Sequence, residues 1–559
     1  MKTSKFLTAL IFTSLLATVI GTSGKINFKS TSAEEIKSGS QTLRLLNVED
    51  YIYDIDELTL KFQEYAKTKG YNDVEISYAT TDTPETMYNM VKLSPYSYDL
   101  ICPSDYMIQK LIVSDMIEKM DVDEAHMPHY LANASKQIKG RLDNISAING
   151  TTNELCYLKD YAVGYMWGTL GLLFDPTYNK RDMDTFINDA QNWSILWNSD
   201  YQGISSIKDS IRDTYAIGLL YALENDYLDE NGEKQEGFAT LLQKYEAKEY
   251  TAEEYNAKFS ETFNKCDDLT LKRVESALKK LRANVFGMEV DSGKQDIVTG
   301  KIGINFAWSG DAVNSMAVRE EEMGSESRLY YSVPKTGSNI WMDAWCMPKN
   351  EKRSPAQREL AMMFLDFLSM PEITTLNMDA TGYTPFTGGN EILDLVREWY
   401  DYRTDDEGNF NDIQYSEQEM KELGIQKVDL SYFFGGTLTG EYAEDPNSCY
   451  FYSDNYLPFY SEDENGNLIH NTSVGGDFFC QFPDEETITR CAVMRDFGDR
   501  NNAVLKMWEK FKSDALPIWA IILFAIELVL LIGGASYYII SKKLNLKLRK
   551  RRKLEASKN

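Results

Sequence analysis

In the stretch Gly337-Ser-Asn-Ile-Trp341-Met-Asp343-Ala-Trp345-Cys-Met347, an indole and a carboxylate stand two residues apart in a strand-like run. Side chains at i and i+2 of a strand point to one face, so Trp341 and Asp343 look out together. An indole face attracts a cation, more strongly where water is excluded, and a carboxylate adds a charge-assisted hydrogen bond to an ammonium. The chemistry this pair offers is recognition of an amine. The other reading of the same residues is a core tryptophan beside a solvated acid, and the rest of the chain has to decide between them.

The chain has 559 residues, enough for two or three domains, with 43% apolar and 26% charged residues, an ordinary globular composition. Its 86 acidic and 58 basic residues give a formal charge of −28. Such a field repels nucleic acid and concentrates cations, although a negative surface also serves solubility alone. The seven cysteines are scattered without metal-ligand spacing. Cys102 and Cys346 read as buried thiols, and Cys480 and Cys491 could pair. Of the three histidines, His126 and His129 flank a Met-Pro pair in a loop-like stretch. A zinc site or a catalytic triad has little to draw on, and no cofactor or metal is expected.

The elements that must position the pair alternate in type. Leu43 to Asn47 reads as a strand, Asp54 to Lys69 as a helix, Val74 to Tyr78 as a strand, and Glu85 opens a helix. Tyr98 to Cys102 is a third strand, running into Ser104, Asp105, Tyr106 and a helix to Val113. That rhythm predicts a mostly parallel sheet with helices on its faces and ligands outside the carboxyl ends of the strands. Ser104 or Asp105 also suits a helix N-cap. Tyr161 to Phe174 resembles paired strands. Ile204 to Lys208 is a strand feeding Asp209, Ser210, Asp213 and a helix, and Ile302 to Trp308 is another. Residues 224–264 read as an inserted hairpin or helical arm, and 387–480 as a second insertion. Within the latter, Asp405 to Gly408 and Asp463 to Gly466 fit turns better than calcium loops. From Phe482 to Lys512 the chain looks helical.

Both ends carry membrane signals. Residues 1–24 have the plan of a secretory signal or an N-terminal anchor, and 25–42 that of a linker. Ala515 to Ile540 is almost wholly apolar and long enough to cross a bilayer, and a lysine- and arginine-rich tail follows it. By the positive-inside rule that tail is cytoplasmic and everything between the two apolar segments is extracellular. Glu527 lies near mid-span, either tolerated or facing a partner's membrane helices.

A series of short motifs resembles the spermidine/putrescine-binding receptors of polyamine ABC importers: Asn47 to Tyr51, Glu85-Thr-Met-Tyr88, Tyr98 to Tyr106, Trp193 to Gly203, Trp308-Ser-Gly, Trp341-Met-Asp343, Gly382-Tyr383 and Phe482-Pro-Asp-Glu. The resemblance implies an α/β, two-lobed periplasmic-binding-protein-like fold (type II), hinged, here with two insertions and a C-terminal transmembrane helix. Lobe 1 would span 43–158 and lobe 2 159–340, with a return to lobe 1 over 341–386 and to lobe 2 over 481–512. It further implies that Tyr51, Ser104 and Tyr106 come from the first lobe, Asp213 and Trp308 from the second, and Trp341, Asp343 and Tyr383 from crossings and cleft edges. Rings would box the methylene chain of a polyamine. Asp343 would hold a central or near-terminal amine, and Asp213, helped by Asp209, the other end. The chain departs from the family pattern at Val48, Ser210 and Met494, where a tryptophan, an acid and a glutamine are usual, which leaves the length of the amine open.

The implied partner is an ABC permease, with Glu527 as a contact. Two other classes stay in view. One is a membrane-anchored hydrolase using paired acids such as Asp209 and Asp213, which turnover of substrate would reveal. The other is a tethered sensor, which would alter a response to the amine rather than its uptake.

Overall fold

Asp54 accepts hydrogen bonds from the backbone N–H groups of Asp56 and Glu57 and so starts a helix, Ile55–Thr68, whose Leu58, Phe62 and Ala66 form one buried stripe. The computed structural model describes residues 40–324, 327–405, 407–454, 456, 460–462, 468–470, 473–513, 522–523 and 526–533. In it the strand Gln41–Val48 pairs in parallel with Val74–Thr81 on one side and Leu100–Ile101 on the other. The helices Ile55–Thr68, Pro84–Leu93 and Asp105–Val113 fill the connections. Ser354 and Gln357 cap a further helix, Pro355–Leu368, whose Phe364 meets Phe62 edge to face at 5.0 Å. This is the first lobe.

The second lobe repeats the plan. Ser205–Lys208 lies between the parallel strands Gly287–Glu289 and Ile304–Trp308; after Lys208 two residues lead into the helix Ile211–Ala222, and Trp308 runs directly into the helix Ser309–Met323. Parallel strands joined by helices are the expected product of the alternating sequence.

Two long strands join the lobes. The first crossing strand, Ala162–Phe174, has all thirteen residues buried. Its far half pairs antiparallel with Ile304–Trp308 in the second lobe, and its near half pairs antiparallel with the second crossing strand, Ser338–Pro348. The second crossing strand leaves the second lobe beside Cys491 and Ala492 and enters the first where Cys346 lies opposite Ile101. Its register with the first slips between Asp343 and Ala344. A bulge at that point re-aims a side chain, and such irregularities gather beside functional sites.

Several expectations are corrected. Tyr161 to Phe174 is one strand, because a run buried on both faces has no alternation to mark where pairing changes. The sheet is mixed, parallel within each lobe and antiparallel at the crossings. The segment from Phe482 holds a short helix, Glu485–Thr489, and a bridging strand, Cys491–Ala492, before the helix Asn501–Ser513. Cys480 and Cys491 are both free, as are the other five cysteines.

The 224–264 region contains both a hairpin and helices. The second insertion packs on the first crossing strand through aromatic rings, Phe433 lying 6.2 Å from Trp167. Asp405 closes a turn by accepting from the backbone N–H groups of Glu407 and Asn409, while residues 463–467 lie outside the described residues. So do 1–39, most of the apolar run 515–541 and the basic tail. Among the described residues no helix is long and apolar enough to cross a membrane.

Where the crossing strands meet the loop after residue 384, space is tight. A Cβ built on Gly164 would stand 2.2 Å from the buried ring of Phe386. Gly164→Ala is therefore expected to lower the thermal midpoint through an overpacking cost of about 1–3 kcal/mol, measurable by differential scanning calorimetry.

Candidate functional site

The carboxyl ends of all six parallel strands open on one cavity of about 500 Å³ between the lobes, as doubly wound sheets place their ligands. The first lobe supplies Tyr51, Glu85, Ser104 and Tyr106, and the second supplies Lys208, Asp209, Ser210, Asp213, Trp308 and Asp311. The second crossing strand supplies Trp341 and Asp343, and the turn after the helix Pro371–Thr381 supplies Tyr383. That turn uses Gly382 at φ +72°, a conformation few side chains tolerate.

Three rings make the aromatic wall. Tyr51 and Tyr383 stand edge to face with centroids 5.0 Å apart, and Trp341 and Tyr383 lie 5.4 Å apart. The Tyr51 hydroxyl donates to Asp343 Oδ2 at 2.7 Å. Asp343 Oδ1 and Trp341 Nε1 are buried and have no hydrogen-bond partner. Burial pushes the Asp343 carboxyl up to about 6, while the Ser104 and Tyr51 hydroxyls pull it the other way. Ser104 is free for this, since it precedes the helix Asp105–Val113 without capping it through its side chain. Asp105 instead accepts from the backbone N–H of Met342 at 3.0 Å, fastening the first lobe to the crossing strand.

The ends of the cavity differ in charge. At one, the Tyr106 hydroxyl donates to Glu85 Oε1 at 3.0 Å. Burial raises Glu85, and the nearby Asp213 raises it further. Burial likewise raises Asp213, against a hydrogen bond from the Ser210 hydroxyl and the positive Lys208 and Arg212. At the other end, Lys208 Nζ lies 3.0 Å from Glu289 Oε1, 3.4 Å from Asp311 Oδ2 and 4.3 Å from the centroid of the Trp308 ring. Asp311 Oδ1 accepts from the Tyr383 hydroxyl at 2.8 Å, and Lys294 reaches Asp291 at 2.7 Å.

All nine residues singled out from the sequence, Tyr51, Ser104, Tyr106, Asp209, Asp213, Trp308, Trp341, Asp343 and Tyr383, line this one cavity. Two stand differently from expectation. Both oxygens of Asp209 are engaged by Lys512, at 2.7 and 2.8 Å, and the ring of Trp308 already carries the Lys208 ammonium. Val48, Ser210 and Met494, the positions that depart from the family pattern, also line it. Sequence reading missed Glu85, Lys208, Glu289 and Asp311. Glu85 was visible as a helix start and within a motif of the family resemblance, but not as a group of the site. His126 and His129 bond to Asp123 and Asp366, away from the cavity.

The Tyr51 bond stabilises the ionised form of Asp343, so Tyr51→Phe is expected to raise its pKa above about 6. Carboxyl ¹³C NMR of aspartate-labelled protein, with Asp343→Asn to assign the resonance, reads this directly.

Residues 61–390 match the sequence pattern of the bacterial extracellular solute-binding proteins. The spermidine/putrescine-binding periplasmic protein of Escherichia coli strain K12 is 22% identical over 339 residues, 59% of this chain and 75% of the relative. Spermidine/putrescine-binding periplasmic protein 1 of Haemophilus influenzae is 21% identical over 433 residues, 75% of this chain and 98% of the relative. The solved structure of a putative spermidine/putrescine ABC transporter from Listeria monocytogenes, 18% identical, covers 85% of this chain and 99% of its own with a TM-score of 0.51, a shared two-lobed α/β fold. The family match takes in both crossing strands and every cavity residue from Glu85 to Tyr383, and this chain belongs to the bacterial extracellular solute-binding proteins.

Proposed function

We propose that the chain captures polyamines outside the cell, in the cleft between its lobes, and delivers them to an ABC permease. The observation that carries this reading is the buried Asp343 carboxylate with one oxygen unpartnered, set beside the indole of Trp341 and the rings of Tyr51 and Tyr383. A desolvated anion in an aromatic wall calls for a cation with N–H donors and apolar flanks. A protonated amine on a methylene chain has both. The names of the relatives support the same ligand class.

Capture is coupled to closure through charge. Glu85 belongs to the first lobe and Asp213 to the second, and Asp213 disfavours ionisation of Glu85 across the cleft. An ammonium placed between them turns a repulsion into two attractions, which is the differential interaction needed to favour the closed state. The crossing strands are the hinge. The apolar run 515–541 with its basic tail fits a single-pass anchor that keeps the binding domain outside and the tail inside, and Glu527 fits a contact with the permease.

A thermal-shift panel of putrescine, spermidine, spermine, thiamine and a neutral sugar on the detergent-purified full chain tests the ligand class. Polyamines should raise the melting temperature and the sugar should not. A shift with the sugar and none with any polyamine would refute the reading. Asp343→Asn is expected to weaken amine binding about 10- to 100-fold, or about 1.5–3 kcal/mol, by calorimetry, because a charge-assisted hydrogen bond is lost in a dry site.

Binding must also depend on pH. Asp343 titrates at about 6 in the empty cavity, so below that value a proton competes with the amine. Calorimetric affinity should be flat above about pH 7 and fall by up to about tenfold per unit below about pH 6 from this group alone.

A further inference from the structure

Lys208 closes the strand Ser205–Lys208, and its side chain is fully buried in the cavity wall. Its ammonium donates to the Val290 carbonyl at 3.1 Å and to Asp311 Oδ2 at 3.4 Å, and lies 3.0 Å from Glu289 Oε1. The Trp308 ring covers it at 4.3 Å. An ammonium has three N–H donors, and here two hydrogen-bond acceptors, a further acid oxygen at ion-pair distance and an indole face surround it. These are the groups of an amine-binding box, and the protein fills it with its own amine.

The cavity also holds acids of the same kind that, among the described residues, have no ion-pair partner. Among the described residues no lysine or arginine forms an ion pair with Glu85, Asp213 or Asp343. Glu85 has the Tyr106 hydroxyl, and Asp343 has the Tyr51 and Ser104 hydroxyls nearby while its Oδ1 makes no hydrogen bond. At the filled end, Lys208 and Lys294 together balance most of the charge of Glu289, Asp291 and Asp311. Around Glu85, Asp213 and Asp343 the basic side chains, Lys208 and Arg212 near Asp213 and Lys110 near Glu85, favour the charged forms without reaching ion-pair distance.

We propose that Lys208 is a specificity-determining residue: a tethered ammonium occupying the Trp308 subsite, which confines the ligand's charges to Glu85, Asp213 and Asp343 and so selects a short diamine over a longer triamine. This rests on the polyamine reading above. A third ammonium extended toward Trp308 meets the like charge of Lys208, and the acids that would hold it are already paired. Discrimination comes from a repulsive group as much as from attractive ones.

The test compares putrescine and spermidine by calorimetry on the full chain and on Lys208→Met, which keeps an apolar stem and removes the charge. The unaltered chain is expected to bind putrescine at least about tenfold more tightly than spermidine. In Lys208→Met, Glu289, Asp311 and the Trp308 face are released, and the ratio is expected to move at least about tenfold toward spermidine. Spermidine binding as tightly as putrescine to the unaltered chain would overturn the proposal, and that comparison decides even if thermal melts show that the variant does not fold. An unmoved ratio in a folded variant would overturn it while leaving the polyamine reading in place. If neither amine binds the unaltered chain, the polyamine reading falls and this proposal with it.

Discussion

The antiparallel pairing of two long strands across the gap between the lobes is the constraint on which everything else rests. Ile340 to Cys346 lie against Ala162 to Thr169, so both crossings move as one ribbon. A ribbon held by backbone hydrogen bonds bends and twists more readily than it breaks, which suits a hinge. Trp341 and Asp343 sit on that ribbon, at the point where its register slips. The residues with the most pronounced chemistry therefore sit on the ribbon itself, which Asp105 fastens to the first lobe at Met342. Asp343 takes its hydroxyl partner from the first lobe, and Trp341 packs against Tyr383 beside the second-lobe Asp311.

Charge is divided within the cleft rather than spread along it. A strongly acidic chain attracts cations to its whole surface, but surface charge confers no selectivity. Selectivity needs acids that are buried and unpaired at one place and satisfied at another. Burial disfavours ionisation of Glu85, Asp213 and Asp343. The Lys208 half is internally balanced. Asp209 is a third case, since Lys512, at the end of the last described long helix, engages it from outside the cleft. This ion pair ties a rim acid of the site to the end of the helix Asn501–Ser513.

Much of this was legible in the sequence, for physical reasons. Period-two geometry put Trp341 and Asp343 on one face, and the strand–helix rhythm put Tyr51, Ser104, Tyr106 and Asp213 at strand ends. The resemblance to polyamine receptors then gathered them into one cleft, where they are found. What escaped is of one kind. Lys208 looks like the end of a strand, and only its contacts with Glu289 and Asp311, far along the chain, show that it is an internal counter-ion. The pairing of Asp209 with Lys512 spans 303 positions and leaves no local mark. The single strand Ala162–Phe174 was read as two because an all-buried run carries no period.

The central claim is that an amine completes the half-satisfied carboxylate at the hinge, and a crystal structure of the putrescine complex tests it most directly. The account predicts a ligand nitrogen at about 2.7–2.9 Å from Asp343 Oδ1, the span of charge-assisted N–H···O bonds. The methylenes should lie against Trp341 and Tyr383, with the second nitrogen between Glu85 and Asp213. Putrescine density outside this cleft, with Asp343 Oδ1 still unmatched, would contradict it.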